Sequence, residues 1–217
     1  MYKKLLKIFV LFVLFGVLFF PDSSFAFKSV TRNQLIYDAI DFSPAELQAF
    51  LRDNLIIVRA GSHFAERHQR RSYSVDPYAT EIIYKQLIED LKNGEYDDFN
   101  TAHAFGVMAC FIAETISPDN YRTPQHLIPN DVSYDGHHEV GDVKSHITIL
   151  IENYRIPGRK KMKKEITDLL YNVAVNEIVD YWVSAWEKGG YQTGMFASAG
   201  KKISHKNFVL NQKAAGG

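Results

Sequence analysis

Apolar residues recur at intervals of three and four through most of the chain beyond residue 33, with few glycines or prolines to interrupt them. That spacing admits helices and little else. Leu35, Ile36 and Ala39 place a first helix over residues 34–40. Ser43-Pro44-Ala45-Glu46 reads as a capping box with proline at the first helical position. A second helix therefore runs towards Leu55, with Leu47, Phe50 and Leu51 on its apolar face. A charged and aromatic loop is expected over residues 61–77, then a third helix through Ile82, Ile83, Leu87 and Leu91. Residues 101–116 are so uniformly apolar that the fourth helix is expected at the centre of the core. An irregular excursion over residues 119–141 follows, then a helix over 143–154. The longest helix is expected over 161–186, with Ile166, Leu169, Leu170, Val173, Ile178, Tyr181, Trp182 and Ala185 on its apolar side and Gly189-Gly190 as its stop. Lys163 and Lys164 read as part of its solvated face. The expectation is one all-α domain over residues 27–190 with a loosely structured tail over 191–217.

Ahead of these helices, Lys3, Lys4 and Lys7 precede an apolar run over residues 8–20, and Ser24-Phe25-Ala26 ends in a small residue. The pattern is that of a signal peptide over residues 1–26, and the run is short for a finished membrane span. Cleavage there would make Phe27 the first residue of an exported protein, periplasmic or secreted, with no transmembrane anchor left. The single cysteine, Cys110, excludes an intrachain disulfide. Lys+Arg and Asp+Glu both number 25, a balance that argues against a general nucleic-acid-binding surface. It leaves room for an enzyme acting on a phosphodiester.

Three groupings have metal-ligand chemistry. Cys110 and Glu114 stand at i and i+4 on the fourth helix, hence on one face. The same two residues also read simply as a packed thiol and a helix-end carboxylate. Asp142 and His146 form a second i, i+4 pair behind His137-His138-Glu139, with Glu152 further along the same helix. Glu66 and His68 form a third grouping, among Arg67, Arg70 and Arg71. No Gly-rich phosphate loop or GxSxG elbow is present.

The order of these pieces resembles the superfamily of zinc-dependent phospholipase C and the single-strand-specific nucleases. Members are exported and all-helical, and hold three zinc ions through a first-residue tryptophan, a nearby histidine, a loop aspartate, a central G-x3-H-x3-D-x3-P-x-H helix and a later H-x3-E/D helix. In this resemblance Phe27 stands at the tryptophan and Arg32 at the first histidine. Gly61-Ser62 and Glu66 look like the aspartate segment. Gly106, Cys110, Glu114, Pro118 and Asn120 keep the central spacing with altered ligands. Val132-Ser133-Tyr134-Asp135-Gly136 is similar to the turn before the last ligand helix. That helix can be placed on Asp142 and His146 as a swapped pair, or on Thr148 and Glu152. The family's remaining histidine has no placement, though Tyr73 and Tyr78 lie nearby.

The departures carry the chemistry. Arginine cannot be deprotonated and so cannot ligate a metal. Carboxylates converging without a cation would repel one another. Arg32 facing Glu114 or Glu66 would supply the missing charge as a fixed guanidinium; the alternative leaves Arg32 in solvent and the glutamates at helix ends. Two functions follow from the resemblance. One is a hydrolase of phosphoric esters, phospholipid or nucleotide, using zinc or another divalent ion on Glu66, Cys110, Glu114, Asp142, His146 and Glu152. The other is a non-catalytic periplasmic binding or scaffold protein, without a metal, that uses the former metal cavity.

Overall fold

The computed structural model describes residues 29–69, 76–93, 97–116, 128–154, 164–191 and 200–205, with the side chains of 29 and 66–69 excepted. Among them run α1 (Ser29–Phe42), α2 (Ala45–Asp53), α3 (Leu55–Gln69), α4 (Pro77–Lys92), α5 (Asp98–Ile116), α6 (Val143–Tyr154) and α7 (Lys164–Lys188). Two short strands, β1 (Asp131–Ser133) and β2 (Lys202–Ser204), complete the described elements. The protein is mostly helical, as the apolar spacing requires.

Helix α5 is the axis of the fold. Thirteen of its residues from Thr101 onward are buried, so neighbours enclose it on every side and its sequence has no polar face. Its most intimate neighbour is α3. A Cβ on Gly61 would stand 2.1 Å from the His103 carbonyl oxygen, and one on Gly106 would stand 1.8 Å from that of Val58. The two helices therefore meet backbone against backbone, which only glycine permits. This explains a difference from the sequence reading. Gly61-Ser62 open no loop; α3 runs through them to Gln69 because Gly61 is a packing residue.

Helix α7 also packs against α5 and buries nearly everything from Ala174 to Trp186. Trp182 Nε1 donates to the Phe105 carbonyl at 3.0 Å, and Tyr84 Oη and Ser184 Oγ lie 2.7 Å apart. Phe50, Phe105, Trp182 and Trp186 pack ring on ring around this contact. Two residues assigned to the apolar side of the longest helix face outward instead, Ile166 and, at 59% exposure, Leu169. The buried face of these turns is carried instead by Thr167, Leu170 and Tyr171. Nor does the expected capping box form. No side chain caps α2, and Ser43 Oγ turns back to donate to the Ala39 carbonyl at 2.8 Å.

The tail expected to be loose contains β2. It pairs antiparallel with β1, Val132 opposite Ile203. The inner edge of β1 is held by side chains: Asn172 Oδ1 accepts from Ser133 N–H at 2.8 Å, and Asn176 both donates to the Ser133 carbonyl and accepts from Asp135 N–H. The glycine contacts yield a first prediction. Gly106→Ala should cost about 3 kcal/mol or more, because a backbone carbonyl blocks the new methyl group. Gly141→Ala, with open space around it, should stay within about 0.5 kcal/mol. Denaturant melts of the two variants check the contrast.

Candidate functional site

Arg32 enters from α1, flanked by Leu35 and Ile36, whose burial turns this face of α1 into the core. Glu114 sits in the last turn of α5, 82 residues away. Arg32 Nη1 donates to Glu114 Oε1 at 2.8 Å, with the two side chains only 3% and 5% exposed. The crevice beside them is lined by Leu35, Ser62, Ala109, Ala113 and Ile178 and is too narrow for a water molecule. Within such apolar walls, contact with the opposite charge stabilises each member of the pair.

Of the other expected site residues, Cys110, Asp142 and His146 have partners of their own. Cys110 is buried one turn before Glu114, packed with Ala65 and Val107. Glu66 lies on α3 one turn beyond Ser62, its side chain outside the described residues, as are Phe27 and Asn120. So is the segment expected as a signal peptide, residues 1–26, together with Tyr73 and the side chain of His68. Asp142 is exposed at the start of α6, where its carboxylate accepts from the Ser145 hydroxyl and, at 3.3 Å, from Ser145 N–H. The Ser145 hydroxyl bond holds its pKa below the ordinary carboxylate value. Thr148 hydrogen-bonds the Lys144 carbonyl, and Glu152 is exposed. Asp142 and His146 thus share a helix face but serve different partners. Among the described residues, no group of three or more His, Cys, Asp or Glu is arranged to hold a metal.

Two polar clusters were not singled out from the sequence. On α7, Glu177 and Asp180 face the 134–146 stretch. His146 Nε2 lies 3.3 Å from Glu177 Oε2, and His146 stacks on Tyr181. Asp180 Oδ1 accepts from His138 N–H at 2.8 Å and lies 3.1 Å from His137 Nδ1. Burial raises the Asp180 pKa, partly offset by the His137 hydrogen bond. Further round the molecule, Asp38 accepts from Gln34 and from the Tyr171 hydroxyl at 2.7 Å, and lies 3.0 Å from His205 Nε2. Burial, then Asp38, push the Tyr171 pKa well above its usual value. A carboxylate inside an apolar helical stretch was the available signal for Asp180 and Asp38.

No protein-family model, curated protein or solved structure matches this chain. Among the described residues, no helix is long and apolar enough to cross a membrane.

Removing one member of the central pair should be costly. Arg32→Ala should lose roughly 3–5 kcal/mol by stranding buried Glu114, whereas Arg32→Met with Glu114→Leu should recover most of it. Urea melts of the single and double variants read both numbers. A pH prediction comes from His146. Its pKa is raised, first by the Glu177 hydrogen bond and against desolvation. A raised histidine contributes stability that is complete below its unfolded value of about 6.5 and is lost as pH rises through the folded value. Wild-type stability should therefore fall as pH rises above about 6.5, and His146→Gln should flatten that slope in melts taken across the range.

Proposed function

We propose that this chain is an exported phospholipase C-like helical protein in which a guanidinium–carboxylate pair stands in for part of the metal centre, and that it works as a non-catalytic binding or scaffold protein. The observation that carries this reading is the Arg32–Glu114 contact. The resemblance aligns both residues with metal-ligand positions that are distant in sequence, and in the fold they touch. Arg32 keeps its charge at every accessible pH, so Glu114 has a permanent cation at 2.8 Å. A divalent ion on the same carboxylate would have to sit against that charge in surroundings that screen it poorly.

The remaining pieces support the reading in the same direction. Cys110 is packed against apolar side chains, Asp142 caps α6, and His146 is engaged with Glu177. Activation of water for ester hydrolysis needs an open coordination position on a metal held by several ligands. The hydrolase alternative keeps Glu66, Glu114, Asp142, His146 and Glu152 as a reduced ligand set for zinc or another divalent ion. Its substrate would be a phospholipid or other phosphoric ester.

Elemental analysis of the mature protein, paired with a phosphodiester hydrolysis assay, separates the two. The expected outcome is no stoichiometric zinc in the wild type, no hydrolysis, and zinc-dependent stabilisation of Arg32→His, which restores a ligand. Stoichiometric metal in the wild type, with ester hydrolysis abolished by chelation, would overturn the non-catalytic reading.

A further inference from the structure

Residues 200–205 are held differently from the helices they lie against. Ile203, opposite the buried Val132, is the segment's one apolar side chain and is itself only partly buried, while Lys201, Lys202 and Ser204 are exposed. The other ties are polar. Tyr134 N–H donates to the Lys201 carbonyl at 3.0 Å, Gly200 N–H to the Tyr134 carbonyl at 2.7 Å, and His205 N–H to the Asn130 carbonyl at 2.7 Å. Two side chains reach α1 from opposite ends of the segment. Lys201 Nζ donates to the Asp41 carbonyl at 2.8 Å and stands 5.6 Å from the centre of the Phe42 ring, and His205 Nε2 lies 3.0 Å from Asp38.

We propose that residues 200–205 form a detachable strap, which opens from β1 and α1 as one unit while the helices stay folded. Both of its receivers are held without it. β1 keeps its inner edge on Asn172 and Asn176, and Asp38 keeps the donors from Gln34 and Tyr171. Opening therefore strands no buried acid and frees no helix. The strap lies at the surface, so the backbone groups it releases meet water, and each hydrogen bond lost costs little.

Two features make the opening collective. The anchors Asp38 and Asp41 stand three residues apart on one rigid helix, and the cross-strand bonds to β1 join the strap's two ends between them. Gly200, at φ 86° with open space where a Cβ would stand, gives the strap a pivot at its entry. Opening uncovers the outer edge of β1, a row of unpaired backbone groups of the kind that accepts an extended chain.

Hydrogen exchange of the full chain, resolved by residue, tests the strap. The Tyr134 and His205 amides, on opposite strands and at opposite ends of the ladder, should show equal protection, about a hundredfold or more below that of the α5 amides. Lys201→Ala should lower protection at the distant His205 amide by about fivefold, and His205→Ala should do the same at Tyr134, with α5 unchanged in both. The α5 amides in the same run report that each variant is folded. Strap amides exchanging as slowly as those of α5 would overturn the proposal, because the segment would then open only with the whole molecule. Variants that each loosen only their own end would also overturn it, since that is fraying rather than release of a unit.

Discussion

Because α5 is mostly buried from Thr101 onward, the polar groups it buries must be answered by protein rather than by water. Two such demands organise the molecule. The Phe105 carbonyl accepts from the Trp182 indole and so registers α7 against α5. Glu114 requires a cation, and Arg32 brings α1 to it. The backbone-close crossing with α3 makes this enclosure possible, since side chains at Gly61 and Gly106 would hold the helices apart. Glycine content here is a packing requirement, not a sign of flexibility.

Much of the architecture was legible because burial leaves a periodic trace. The bounds expected for the helix over residues 143–154 are those of α6, and α5 was recognisable as central from its uniform apolarity. The end of α3 was misread because Gly61-Ser62 resembles a turn, and sequence does not distinguish a glycine needed for φ from one needed for contact. Ile166 and Leu169 misled for a related reason: an apolar residue near the apolar side need not be on the buried face, which here runs through Thr167, Leu170 and Tyr171. β2 has three residues, too few for a pattern. At the candidate site, charge logic reached Arg32 and Glu114, since a guanidinium among expected carboxylates needs an acid. Asp38, Glu177 and Asp180 were passed over because a lone acid on a helix usually points to water.

The buried charges fall into two chemical kinds. Arg32–Glu114 joins a group that never releases its proton to one enclosed at the end of the central helix. Asp180 and Asp38 are instead partnered by histidine side chains. The permanent pair sits at the junction of α1 and α5. The pairs at Asp180 and Asp38 sit where loop or strand backbone meets helix.

The arrangement around β1 also bears on the order in which the molecule can assemble. One edge of this strand is closed by Asn172 and Asn176, the other by β2, some seventy residues downstream of it. Asp38, near the beginning of the described chain, waits for His205, 167 residues later, and Lys201 donates to the Asp41 carbonyl. A chain is made from its amino end at about 5–20 residues per second, so α1 spends its first seconds with an acid that has only part of its final set of partners. The helical core can form from contacts already made, but the closing step spans nearly the whole length and carries the loop-closure entropy that slows long-range pairing. Truncation just before residue 200 would thus remove not an appendage but the segment that ties α1 and β1 together.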